Sequence, residues 1–137
     1  MNERSEKLIS VSIIEDSEIH RTLLFNQLSE SGKFSVVSQD HFGRAGIESV
    51  KKFQPHIVLL DFQLSDITGI EVSKRIKSHF KNIKILAITA HTEKSIVDKI
   101  IQDENVDGVG IKGSRYFQSA LIETIESVAR GESYIDP

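Results

Sequence analysis

Apolar residues recur along the chain in short, nearly continuous runs, and each run is followed by a stretch whose apolar positions fall three or four apart. Leu8–Ile14, Phe34–Ser38, His56–Leu60, Ile83–Ile88 and Gly108–Ile111 are short and rich in Val and Ile, the pattern of strands buried on both faces. Between and after them, Ile47/Val50, Val72/Ile76, Val97/Ile101 and Phe117/Leu121/Ile125/Val128 carry helical spacing. A first helix from about Ser17 carries Ile19, Leu23 and Leu28. Boundary chemistry agrees: Pro55 stops the second helix before a strand, Thr68 with Glu71 has capping-box spacing, and Gly131 suits a helix end. Five strand–helix units in series predict an α/β fold with a parallel sheet, helices on both faces and right-handed crossovers.

A length of 137 residues fits one domain. Hydrophobic content of 39% and charged content of 27% are those of ordinary globular chains. A formal net charge of −3 argues against nucleic-acid binding by this chain, which would require a basic footprint. Without cysteine there is no disulfide, thiolate nucleophile or Cys-based zinc site. The opening MNERSEKLIS lacks the apolar stretch of a signal peptide, and no run approaches the length of a membrane span, so a cytoplasmic location with no membrane partner is expected.

Open α/β sheets bind ligands beyond the carboxyl ends of their strands, near the point where strand order reverses. The strands here end in Glu15-Asp16, Asp61, Thr89-Ala90 and Lys112. In the order 2-1-3-4-5 the first and third strands are neighbours at that point, which predicts that Glu15, Asp16 and Asp61 converge. Three carboxylates within about 5 Å repel by roughly 3 kcal/mol per pair at an effective dielectric near 20, so a cation belongs among them. Oxygen-only ligands suit magnesium, with manganese as a substitute. Asp61 would attack phosphorus to form an aspartyl phosphate, Lys112 would hold a phosphoryl oxygen, and Thr89 would donate a hydroxyl hydrogen bond to another. Singly, each residue has an ordinary role: a helix cap for Glu15-Asp16, a loop or turn position for Asp61 and Thr89, a solvated charge for Lys112. Their order at successive strand ends favours the chemistry.

At these positions the chain resembles the receiver domains of bacterial response regulators across residues 8–131. The resemblance is carried by IIEDS at 13–17, IVLLDFQLSDITGIEV at 57–72, ILAITAH at 85–91 and DGVGIKGS at 107–114. It implies a flavodoxin-like (βα)5 three-layer sandwich and phosphorylation of Asp61 by a sensor histidine kinase, a phosphotransfer protein or a small phosphodonor. It also implies Mg2+ held by Asp16, Asp61 and the backbone carbonyl of Gln63, with Glu15 acting directly or through water. Thr89, Ala90 and Lys112 are the implied phosphoryl-binding and switch positions, with His91 and Val109 at the rim of the site. The closing segment, GIKGS through ALIETIESVARGESYIDP, is similar to receivers of the LuxR/NarL-associated subgroup that precede a helix-turn-helix domain. Residues 1–7 are expected to be an N-terminal tail, and 132–137 a C-terminal tail or the start of a linker to an output domain absent from this sequence. The implied role is a switch, not an enzyme, whose phosphorylated form changes a protein–protein surface. Homodimerisation, through the first and fifth helices as in LuxR-type relatives, is the expected consequence, with transcription controlled by the absent domain.

Three departures from the family bear on the site. Leu64-Ser65 stands where most receivers have Met-Pro, so a less rigid loop is expected. Val109 stands where many place an activation-reporting aromatic. Gly113 replaces the proline that often follows the lysine. Two alternative functions remain: a degenerate receiver acting only as a protein-binding module, and an aspartate-nucleophile phosphatase. The phosphatase needs an acid two residues after the nucleophile, where Gln63 stands. The run Gly108–Gly113 formally matches a dinucleotide-binding glycine motif, but it follows the last strand instead of the first. The five histidines lack the spacing of a zinc site. The wide apolar face Ile96, Val97, Ile100 and Ile101 is expected in the core.

Overall fold

A computed structural model describes residues 8–135. In chain order the elements are β1 (Ile9–Ile14), α1 (Glu18–Ser31), β2 (Phe34–Asp40), α2 (Gly43–Phe53), β3 (Ile57–Asp61), α3 (Gly69–His79), β4 (Lys84–Thr89), α4 (Lys94–Ile101), β5 (Gly108–Ile111), α5 (Arg115–Ser119), α6 (Leu121–Ala129) and β6 (Tyr134–Ile135). All strand pairs are parallel, in the order β2-β1-β3-β4-β5-β6. The expected 2-1-3-4-5 arrangement is therefore present, extended at one edge by the short β6.

Every residue of β3 is buried, as the continuous IVLLD run requires. Alternation along the strands feeds two cores. Ile57 and Leu59 pack with Phe117, Leu121, Ile125 and Val128 beneath α1, α5 and α6, whereas Val58 and Leu60 pack with Ile47, Val72 and Ile76 beneath α2 and α3. The final helical stretch is divided at Ala120, with φ −108° and ψ 16°, so one helix was expected where two occur. Hydrogen bonds from Ala120 N–H to Tyr116 and from Thr124 N–H to Ala120 carry the helical ladder through the junction, which keeps the predicted apolar face on one side.

The first helix departs further from expectation. Ile19 and Leu23 are 72% and 53% exposed, and the buried stripe runs instead through Leu24, Phe25 and Leu28. Arg21 begins that stripe at the correct spacing, and its guanidinium donates to the Glu15 carbonyl at 2.8 Å. A polar residue whose long side chain reaches the site thus took the place that an apolar residue was expected to fill.

Local chemistry accounts for several boundaries. Gln54 closes α2 in the left-handed region (φ 45°), and Pro55 prevents continuation. Gly131, at φ 100°, ends α6 while Glu132 N–H donates to the Ser127 carbonyl at 3.0 Å. Gly110 is required by packing, because the Phe117 ring occupies the space a Cβ would need. That contact explains part of the glycine-rich run without any nucleotide.

Candidate functional site

Strand parity assembles the site. Glu15 continues the Val11–Ile13 side of β1, Asp61 continues the Ile57–Leu59 side of β3, and Lys112 continues the Gly108–Gly110 side of β5. All three therefore face the α1/α5 layer at the carboxyl edge of the sheet. The Lys112 ammonium lies 3.0 Å from Glu15 Oε2 and 3.4 Å from Asp61 Oδ2. Glu15 and Asp61 are 1% and 2% exposed.

Two buried carboxyls around one ammonium leave an excess of negative charge, and the titration of Glu15 reflects it. Burial foremost, then the adjacent Asp61 carboxyl, raise its pKa from 4.5 to about 7, against the opposing pull of Ser17 N–H and Lys112. Ser17 N–H donates to Glu15 Oε2 at 3.0 Å, while Glu15 Oε1 is buried and accepts no hydrogen bond. Asp61 accepts from Gln63 N–H at 2.8 Å through Oδ1 and from Asp16 N–H at 3.4 Å through Oδ2.

The predicted convergence of three acidic side chains holds for two of them. Asp16 is exposed, and it meets Asp61 through its N–H instead of its carboxylate. Lys112 occupies the position between Glu15 and Asp61, and among the described residues no group of three or more His, Asp or Glu side chains is placed to hold a metal ion.

Thr89 ends β4, fully buried, on the opposite parity, beside Ala87 and the α4 layer. Its Oγ1 accepts from His91 N–H and from Gln63 Nε2, each at 3.1 Å, and Gln63 Oε1 accepts from Ala90 N–H at 3.1 Å. His91 does stand at the edge, half-exposed, with Nδ1 3.1 Å from Glu93 Oε1. Val109 does not. Lying between Ala87 and Ile135 in the sheet, it is 2% exposed and packs with Ala87 and Ile100. Gly113 adopts φ 83°, which proline cannot reach.

The loop after Asp61 is held by a residue that the sequence reading passed over. Asp66 accepts from Gly43 N–H at 2.8 Å and from Arg44 N–H at 3.0 Å, capping α2 from a distant part of the chain. Phe42, the residue in the α2 cap position, makes no side-chain cap bond. The only sequence signal was a missing one, a helix start without Ser, Thr, Asp or Asn. The looser loop expected from Leu64-Ser65 is thus tied down at the very next residue.

Comparison with known proteins agrees with this fold. The response regulator receiver domain matches residues 11–112. The transcriptional regulatory protein DegU of Brevibacillus brevis is 28% identical over 138 aligned positions, covering 100% of this chain, which spans only 57% of that protein's length. The signal receiver domain of NarL from Mycobacterium tuberculosis superposes with a TM-score of 0.84 at 26% identity, covering 92% of this chain and 99% of the other. A LuxR-family two-component response regulator from Aurantimonas shares the fold with a TM-score of 0.86 at 21% identity, over 96% of this chain and 91% of its own. The chain belongs to the response regulator receiver domain family, among relatives of the LuxR/NarL type.

Proposed function

We propose that Asp61 accepts a phosphoryl group and that the resulting charge switches a protein-binding surface. The observation that carries this reading is Lys112 bridging two buried carboxyls at the sheet edge, with Thr89 ending the neighbouring strand and Ala90 just beyond it. An ionised Asp61 oxygen forms a bond to phosphorus while the bond from phosphorus to the donor's leaving atom breaks, and the leaving group departs with its electron pair. The Lys112 ammonium pairs with one phosphoryl oxygen, and Thr89 O–H and Ala90 N–H donate to others.

The donor types are those a divalent cation takes, but as placed they do not yet form its site: the Asp16 carboxylate must turn towards Asp61 for the set to close on a cation. The acceptors are all oxygens, namely the carboxylates of Glu15, Asp16 and Asp61 and the Gln63 carbonyl, and Glu15 Oε1 is a buried acceptor in need of a partner. Magnesium, when bound, would neutralise charge on the incoming phosphoryl group. Gln63 carries no exchangeable acid where a phosphatase would need one, which supports a switch over an enzyme. The donor is a sensor histidine kinase or phosphotransfer protein, and the response is a change in protein association such as homodimerisation. Direct DNA contact is not part of the proposal, given the net charge of −3. Incubation with acetyl phosphate and magnesium should give a single phosphate adduct by intact mass. Asp61→Asn should abolish it while melting cooperatively, and an undiminished adduct on that variant overturns the assignment.

A further inference from the structure

We infer that the side chain of Gln63 is a latch that holds the β4–α4 loop in its unphosphorylated arrangement and competes with the phosphoryl group for that loop. The inference rests on Asp61 being the phosphoacceptor, and it assigns to Gln63 a role separate from its backbone carbonyl.

The orientation of the carboxamide is fixed by its surroundings. Ala90 N–H can only donate, so the atom 3.1 Å from it is Oε1, and Nε2 faces Thr89 Oγ1 at 3.1 Å. With His91 N–H also donating to Thr89 Oγ1 at 3.1 Å, both acceptor sites of that hydroxyl are filled. Its proton is left as the one group it can offer. Gln63 N–H meanwhile donates to Asp61 Oδ1 at 2.8 Å. One residue therefore touches the phosphoacceptor with its backbone and both phosphoryl-binding positions of the next strand with its side chain.

The consequence is competition. A phosphoryl oxygen on Asp61 that takes the Ala90 N–H must displace Gln63 Oε1 from it. An anionic oxygen is the stronger acceptor, so the exchange runs forward, but it is opposed by the bonds given up. Once the amide lets go, the loop from Ala90 to Glu93 loses its cross-link to the β3–α3 loop and α4 can follow. Val109 sits in the core and offers no aromatic lever between the site and the surface, and the carboxamide is the contact that a phosphoryl oxygen must displace to reach Ala90. Gln63 is thus a positioning residue.

The test uses the whole chain with magnesium and beryllium fluoride, a non-covalent phosphoryl analogue. Gln63→Met keeps length and bulk but makes neither bond, and it should bind the analogue about fivefold tighter, the worth of roughly one net hydrogen bond. Gln63→Ala, the second variant, should shift affinity in the same direction. Without the analogue, the Ala90 amide should exchange faster with solvent in Gln63→Met while α3 amides keep their wild-type protection, a separation that general loosening of the fold would not produce. Gln63→Glu keeps an acceptor for Ala90 and should restore that amide's protection, while its added charge weakens binding of the analogue. Unchanged or weaker binding by Gln63→Met, with wild-type exchange at Ala90, overturns the latch alone. Wild-type protein that binds no analogue and takes no phosphate from acetyl phosphate overturns the receiver reading and the latch with it.

Discussion

The two helices that follow the site's loops, α3 after Asp61 and α4 after Thr89, are held very differently. Thr68 caps α3, accepting from Glu71 N–H at 3.1 Å, and the helix buries Gly69, Val72, Ser73 and Ile76. The cap residue of α4, Glu93, makes no side-chain cap bond, and only Ile100 of that helix is fully buried. The α3 layer belongs to a cluster of nine buried apolar residues, and the α4 cluster holds three, Ala87, Ile100 and Val109. Even the surface charges differ in sense. Glu71 precedes Arg75 in the favourable orientation along the helix, whereas Lys94 precedes Asp98 in the unfavourable one. The site therefore lies between a fixed helix and a loosely held one. If Asp61 is phosphorylated as proposed, the element with least to lose, and so the one expected to move, is α4.

Large-to-small changes in the two helices test this most strongly. Ile76→Ala should cost about 4 kcal/mol and Ile100→Ala about 2 kcal/mol, the upper and lower parts of the range for buried Ile, because the sparse α4 layer can collapse around the gap. Urea unfolding midpoints at constant slope measure both. Equal costs would remove the packing basis of the contrast.

Titration of Glu15 separates global from local stability. Its pKa is raised from 4.5 to about 7, so the folded state holds the proton more tightly than the unfolded chain does. That contribution is complete below pH 4.5 and is lost as pH rises through about 7, on the order of 3 kcal/mol in metal-free protein. Glu15→Gln should flatten the dependence. After correction for intrinsic exchange, α3 amides should gain protection on acidification from pH 8 towards 5, because they open only with the whole fold. Amides of α4, opening locally, should not. Parallel behaviour of both helices would mean that α4 is no looser than α3.

The anchoring of the β3–α3 loop carries the next largest effect. Desolvation works against ionisation of Asp66, but hydrogen bonds from Arg44 and Gly43 outweigh it and hold the carboxyl below its ordinary value of 3.8. Its contribution is therefore present above that value and lost as pH falls through the lowered one, opposite in sign to Glu15. Asp66→Ala should cost roughly 1–2 kcal/mol, as removal of a helix cap does, and should raise exchange at Gly43 and Arg44. An unaffected α2 start would show that the loop is not anchored there.

Most of the fold was legible because burial and strand parity act over a few residues. The IVLLD run could only be a buried central strand, and Glu15, Asp61 and Lys112 meet because each ends a strand on the same parity. The exposure of Asp16 was not legible, since it depends on where β1 stops. Nor was the face of α1, where Ile19 and Leu23 lie exposed and Arg21 reaches inward to a carbonyl. Analogy of position puts Val109 at the rim, but strand alternation turns it into the α4 layer. Asp66 and the Gln63 carboxamide escaped notice for a common reason. Their partners are 22 to 27 residues away, and a side-chain hydrogen bond across such a distance leaves no periodic trace.

The smallest effect concerns the caps themselves, and it tests whether the looseness of α4 is built into its first turn. An N-cap oxygen satisfies one of the N–H groups that a helix start leaves without a partner, so Thr68→Ala should cost about 1 kcal/mol and fray the start of α3. Glu93 supplies no such bond, and its side chain is engaged instead with His91 at 3.1 Å. Glu93→Ala should therefore leave the unfolding midpoint where it is. Glu93→Ser would give α4 the cap it lacks, and its amides should then exchange more slowly while those of α3 stay unchanged. If capping slows exchange in α4 and also weakens binding of a phosphoryl analogue, the loose helix start is part of the switch, because the analogue must then move an element that resists. If exchange slows and binding is unchanged, α4 is loose for want of core contacts alone, and its motion is independent of the site.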